Sequence, residues 1–216
     1  MFLFGSLSRL KLVLKDFKEQ ENILIAFEGI DASGKNTQST LLHSKLRSMK
    51  LDAEYVSFPD YTTTIGQEIR SFLSGEKSYP LEARHMLYSL NRYEHKNQIE
   101  NWQSEGKIIV INRYCVSNLA YGGASGLSID WLRSLESQMP QADYIFYLRA
   151  TANLSKLRKS NRDKFESDLS FLSRVSSVYD ALSQSPNWFK IDADDSIENI
   201  QYEIFKITEE LLRSKR

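Results

Sequence analysis

Two hydrophobic periods alternate along the chain. Short strand-like runs recur at Ile23–Phe27, Ala53–Ser57, Ile108–Ile111, Tyr144–Leu148 and Trp188–Ile191. The first and third are apolar throughout, as parallel strands covered on both faces are. Between them the apolar positions change to helical spacing. Leu41, Leu42, Leu46 and Met49 mark a helix after the first strand, and Thr64-Ile65-Gly66 opens another running from Gln67 to Leu73. A long helix is predicted over Arg84–Trp102, stopped by Gly106, with Tyr88, Arg92 and His95 near one face. A further helix from about Ala152 runs into a cationic segment, and the last begins at an Asp195…Glu198 capping box with Ile197, Ile200, Ile204, Ile207 and Leu211 as its core stripe. Strands alternating with helices predict right-handed crossovers and a three-layer α/β/α domain on a five-stranded parallel sheet.

The loop after the first strand brings in chemistry. Gly29-Ile30-Asp31-Ala32-Ser33-Gly34-Lys35-Asn36-Thr37 lies between a predicted strand and a predicted helix. Backbone N–H groups of such a glycine-bracketed loop, with a helix N-terminus behind them, hold an oxyanion, and Lys35 adds a mobile positive charge for the β- and γ-phosphates. The pattern G-x-x-x-x-G-K-[ST] is incomplete, because Asn36 stands where a magnesium-binding hydroxyl is expected and Thr37 comes one residue late. The strand-loop-helix context still assigns a P-loop nucleoside-phosphate-binding domain.

Composition narrows the class. The 216 residues suit a single domain, placed at 23–216, with 1–22 as an N-terminal extension too charged beyond Leu7 for a signal sequence. Lys and Arg total 28, as do Asp and Glu, so no net positive field argues for nucleic acid or an anionic membrane. The single cysteine, Cys115, fits a reducing compartment, and no apolar run reaches the ~20 residues that span a bilayer. A cytoplasmic protein is expected. The three histidines are scattered at 43, 85 and 95 and receive no metal or catalytic role.

Other P-loop classes lack their signatures. No Asp-x-x-Gly segment follows the third strand and no Asn-Lys-x-Asp base reader occurs, as a GTPase switch would need. That strand ends in Asn112-Arg113 rather than in the acidic residues of a motor ATPase. Instead, Arg113, Tyr114, Ser117, Asn118 and Tyr121 follow a strand's carboxyl end, where α/β sheets bind ligands. Arg158, Arg162 and Lys164 lie in the cationic segment, suited to closing over phosphates.

The chain resembles the thymidylate kinases. The matching segments are Phe27-Glu28-Gly29-Ile30-Asp31 through Lys35, Thr37-Gln38, Phe58-Pro59 with Thr64-Ile65-Gly66, Asn91-Arg92-Tyr93-Glu94, Arg113-Tyr114 with Ser117 and Ala120-Tyr121, and a lid of about 156–168 ending Lys164-Phe165-Glu166. The resemblance implies a homodimeric kinase that moves the γ-phosphate of ATP to dTMP with Mg2+. It implies that Gly29 to Thr37 wraps the ATP phosphates and that Asp31 sits between donor site and acceptor sugar. Phe58 and Tyr88 would pack on thymine, Arg92 would read a base carbonyl, Ser117 and Asn118 would edge the base, and Tyr121 would lie against the nucleotide. Arg113 would grip the acceptor phosphate, with Arg158, Arg162 and Lys164 arriving from the lid. Three departures stand out: Asn36 for Ser or Thr, Asn112 for Asp, and Tyr61 where related sequences place arginine. The first two bear on magnesium, with asparagine keeping an oxygen but losing a charge at 112. Two alternatives stay open: a related monophosphate kinase of relaxed base choice, and a nucleotide-binding paralogue with weak or lost catalysis.

Overall fold

Each strand-like run becomes a strand: β1 Ile23–Glu28, β2 Ala53–Ser57, β3 Ile108–Asn112, β4 Tyr144–Arg149 and β5 Trp188–Asp192. The structure is a computed structural model that describes residues 22–151 and 169–214. The strands pair in the order β2-β3-β1-β4-β5, all parallel. Helices α1 Lys35–Ser48, α2 Thr64–Leu73, α3 Leu81–Tyr93, α4 Lys96–Ser104, α5 Cys115–Ala124, α6 Ile129–Glu136, α7 Leu169–Leu182 and α8 Ile197–Ser214 complete the described chain.

Both faces of the sheet are covered, which is why its strands read as continuous apolar runs. Ile23, Ile25 and Phe27 of β1 join Ile108 and Val110 against Leu42 and Leu46 of α1, Leu172 and Val175 of α7, and Ile200 and Ile204 of α8. Leu24 and Ala26 join Ile109 and Ile111 on the other face, with Ile99 of α4 and Met139. The expected three-layer α/β/α architecture is therefore present.

Register sets up the site. Phe27 pairs with Asn112, and Asn112 pairs with Ser57, so β1, β3 and β2 end level. Their exits, at Gly29, Arg113 and Phe58, consequently stand side by side. The chain leaves β1 toward β2 and leaves β3 toward β4, in opposite directions across the sheet. Adjacent strands whose connections diverge leave a crevice at their carboxyl ends.

Three regions differ from the sequence reading. The helix predicted over Arg84–Trp102 is two helices, α3 and α4, parted at Glu94-His95. There the His95 N–H donates to the Arg92 carbonyl three residues back, while the His95 ring sits edge-on to Phe58, centroids 5.3 Å apart, with its Nε2 3.0 Å from Asp60 Oδ2. Tertiary anchoring of one side chain breaks a continuous helical period. In α8 the buried stripe is Ile200, Ile204, Thr208 and Leu212, one residue on from the predicted Ile207 and Leu211, and Ile197 is exposed. Thr208 tolerates burial because its hydroxyl donates to the Ile204 carbonyl at 2.8 Å. The cap is Ser196, whose Oγ accepts from Asn199 N at 3.1 Å, rather than the Asp195…Glu198 box. Finally, α5 and α6 occupy a stretch where no helix was predicted.

Candidate active site at the carboxyl ends of β1 and β3

Beyond β1 the backbone curls. Gly29 has φ 142°, and a Cβ there would lie 2.5 Å from the Leu148 carbonyl oxygen of β4. Only glycine meets both demands. Ala32 at φ 57° and Gly34 at φ 95° add left-handed residues, the conformation that builds anion-binding nests of N–H groups. Gly34 is the N-cap of α1 and supplies no side-chain hydrogen bond, so the positive helix end is not closed by an acceptor from its own cap. Lys35 is buried within this curl, its Nζ donating to the Ile30 carbonyl at 2.5 Å and to Ser33 Oγ at 3.3 Å. A cation is thus stored against the loop.

The loop meets the β3 exit through Asp31. Its Oδ1 is ion-paired with the Arg113 guanidinium and its Oδ2 accepts from the Tyr121 hydroxyl at 2.8 Å. The same guanidinium lies 5.4 Å from the Tyr121 ring centroid. Burial disfavours the Arg113 charge, but Asp31 and the tyrosines outweigh it and hold the side chain cationic. Arg113 itself is at φ 60°, a left-handed conformation that a side chain of this size adopts at a cost. Its N–H donates to the Phe27 carbonyl at 3.0 Å as the chain turns into α5.

Behind this junction lies Glu28, fully buried. Its Oε1 accepts from the backbone N–H groups of Tyr114 (2.8 Å) and Ser117 (3.2 Å), and its Oε2 from the Ser117 hydroxyl (2.6 Å) and the Tyr179 hydroxyl (2.9 Å). Burial raises its pKa, against which the Ser117 hydroxyl, the Tyr114 N–H, the Tyr179 hydroxyl and the Arg113 charge pull down. A carboxylate at the N-terminus of α5 completes a helix that has no side-chain N-cap of its own.

A cleft open to solvent lies between the turn after β2, α3 and α5. Asp31, Arg113 and Tyr121 line it together with Phe58, Pro59, Tyr88, Arg92, Ser117 and Asn118. Tyr61, Phe72, Leu73, Leu81, Arg84 and His85 also border it. The turn carrying Phe58 is held by Asn91, whose Oδ1 accepts from Asp60 N at 2.8 Å and whose amide donates to Thr63 Oγ1 at 2.9 Å. At Gly66 a Cβ would overlap the Asp60 carbonyl at 1.7 Å, so α2 rests directly on that turn.

Arg92, 3 % exposed, is paired through Nε at 3.0 Å and through Nη2 with Glu136, itself 4 % exposed. Burial alone would raise the Glu136 pKa, but Arg92 and the donated hydrogen bonds hold it below the usual carboxylate range. Asn118 donates to Glu136 Oε1 at 2.8 Å, and His85 Nδ1 lies 2.6 Å from Asn118 Oδ1. Burial pushes the His85 pKa down, with the Asn118 hydrogen bond opposing, so the ring is neutral at physiological pH.

A family model described as thymidylate kinase matches residues 27–204. The chain belongs to the thymidylate kinase family. It is 33% identical to the thymidylate kinase of Plasmodium falciparum, covering 84% of this chain and 87% of that one. Against the human thymidylate kinase the identity is 30%, over 88% and 92% of the two chains. Among solved structures it matches the thymidylate kinase of Candida albicans, described as revealing the origin of broad substrate specificity, with TM-score 0.76, 26% identity and 88% and 92% coverage. Phosphoryl transfer to dTMP is the function of that family.

Against this thymidylate kinase frame, Asp31, Phe58, Tyr88, Arg92, Arg113, Ser117, Asn118 and Tyr121 all border one cleft. Two of them are also hydrogen-bonded to groups outside that lining. The Ser117 hydroxyl is spent on Glu28 and Tyr179, and Asn118 is bound into the Glu136 cluster. Asn36 is exposed at the start of α1, its Oδ1 accepting from the Tyr55 hydroxyl at 3.3 Å. Asn112 donates to Ser57 Oγ at 3.0 Å, while its Oδ1 is buried without a hydrogen-bond partner. Arg158, Arg162 and Lys164 lie outside the described residues. Glu28, His85 and Glu136 were missed as site residues. Glu28 had left a signal, an acidic residue closing a buried strand, whereas nothing in the sequence separates Glu136 from the other surface-type glutamates.

Proposed function

We propose that dTMP lies in the cleft with its base between Phe58 and Tyr88, its phosphate toward Arg113, and the phosphates of ATP on Gly29–Thr37. One observation carries this reading: Asp31 of the phosphate loop is ion-paired with Arg113 and both line the base cleft, so donor and acceptor phosphates would meet at that pair. Arg92 is the reader of a base carbonyl, Tyr121 packs beside the sugar, and Asn118 edges the base. Ser117 forms wall rather than a hydrogen-bonding reader, since its hydroxyl is engaged behind it.

In this reading the protein's work is positioning and charge. Two anionic phosphates repel, and fixed cations offset that repulsion as the groups come in line. Lys35 exchanges the Ile30 carbonyl for phosphate oxygens, and Arg113 holds the acceptor. Arg158, Arg162 and Lys164 are further cations assigned by the resemblance alone. Among the described residues no cluster of three His, Cys, Asp or Glu could cage a metal, which agrees with magnesium's habit of binding chiefly to phosphates and water. The orphaned Asn112 Oδ1 fits an acceptor for a magnesium-bound water, with Asn36 beside the loop. When bound, the ion supplies neutralising charge on the phosphates. A homodimer is part of the proposal, supported by Met86 and Leu90, exposed one turn apart on α3.

A coupled assay of ADP release tests the assignment across dTMP, dUMP, dCMP, dGMP and UMP. We expect rapid turnover with dTMP, slower turnover with dUMP and little with the rest. Equal rates on all five would sink the base-site reading, and none on any would favour a catalytically lost paralogue.

A further inference from the structure

Behind the base wall, a chain of buried polar groups runs Arg92, Glu136, Ser89, Asn118, His85. Arg92 donates through Nε and Nη2 to the two Glu136 oxygens. Ser89 Oγ donates to Glu136 Oε1 at 2.6 Å, and the Asn118 amide nitrogen donates to Glu136 Oε1 at 2.8 Å, to Ser89 Oγ at 3.0 Å and to the His85 carbonyl at 3.2 Å. His85 Nδ1 faces Asn118 Oδ1 at 2.6 Å.

An ionised carboxylate only accepts hydrogen bonds. With Glu136 at the centre, every neighbour's polarity follows. Ser89 must donate to it, Asn118 must turn its NH2 toward it, and Asn118 Oδ1 is thereby sent the other way, where His85 must be the donor. Reversal of the Asn118 amide would set an oxygen against a carboxylate. Arg92, which borders the cleft, commits Nε and one Nη2 hydrogen to Glu136 and leaves Nη1 outside that pair.

We propose that Glu136 is a positioning residue that sets the choice of pyrimidine, by fixing Arg92 as the donor and Asn118 Oδ1 as the acceptor that border the base. This rests on the base-site reading above. A donor beside an acceptor complements the C4 carbonyl and N3–H of thymine and uracil. Cytosine offers the inverse, an amino group and a bare N3, so Arg92 would face a donor and Asn118 Oδ1 would keep only its hydrogen bond from His85. Sites built this way reject the mismatched ligand by large factors.

The test is Glu136→Gln, an isostere whose amide can donate or accept, which frees Asn118 to turn. Purified protein is assayed for kcat and KM with dTMP, dCMP and ATP. We expect the kcat/KM ratio of dTMP over dCMP to fall by about tenfold or more, through a raised KM for dTMP, while the KM for ATP stays put. Ser89→Ala, which removes a single donor to the same oxygen, should move the ratio the same way by a smaller factor, and it decides the matter if the glutamine variant does not fold. An unchanged ratio, or equal losses on both substrates, would overturn the role of Glu136. Parity between dTMP and dCMP in the unaltered protein would instead overturn the base-site reading and this proposal with it.

Discussion

Asn112 shows how one atom alters a site. At the carboxyl end of β3 its amide is anchored to Ser57 by one side only, and the other side, Oδ1, is buried and unpartnered. A neutral oxygen binds magnesium and its water shell more weakly than a carboxylate would. Asn112→Asp should therefore lower the magnesium concentration that gives half-maximal dTMP phosphorylation. A magnesium titration of both proteins checks this, and coincident curves would remove the idea that the residue faces the ion. The phosphate loop was legible from the residues because glycine and lysine spacing is dictated by backbone geometry and charge. Glu136 was not, because its meaning comes from Arg92, a residue distant in sequence.

Among the elements, strands were read well and helices unevenly, for a physical reason. A strand buried on both faces declares itself in a handful of consecutive apolar residues, as Ile23–Phe27 and Ile108–Ile111 do. Helix α5 contains Ser117, Asn118, Gly122 and Gly123, poor helix formers all. It forms because Glu28 accepts two of its leading N–H groups and because Gly122 lets Leu132 of α6 approach, where a Cβ would lie 2.6 Å from a Leu132 methyl. These are tertiary contacts with no local signature. Glu28→Ala would strand two backbone donors, each costing about 1–3 kcal/mol, and would leave the Ser117 and Tyr179 hydroxyls with only each other at 3.1 Å. For a chain of this size the melting temperature should drop by roughly 6 °C or more. Calorimetry checks it, and an unchanged melting point would show that α5 does not depend on this carboxylate.

For the molecule as a whole, buried titratable groups set the acid limit. His85 has its pKa depressed in the folded state, so the unfolded chain binds more protons as pH falls below about 6.5, and stability declines through that window. Glu136, also held low, stabilises the fold above its ordinary value and gives that up as pH falls below about 4.5. Glu28 has the opposite sign: its raised pKa favours the fold at acid pH and withdraws that support as pH rises. Thermal melts should thus weaken below neutrality, and His85→Asn should flatten the decline between pH 6.5 and 5, whereas an unchanged slope would assign it to other groups. Because β1, β2 and β3 end level, the parallel sheet sets the proposed donor and acceptor phosphate sites side by side.

That meeting of two sites is the centre of the account, and a bisubstrate ligand reports on it most directly. Adenosine and thymidine joined at their 5′ ends through a polyphosphate chain should bind by calorimetry at one molecule per chain, more tightly than ATP or dTMP alone. Lys35→Ala and Arg113→Ala should each remove most of that advantage. A joined ligand that binds no better than its halves, or that is indifferent to Arg113, would contradict the proposed end-to-end arrangement.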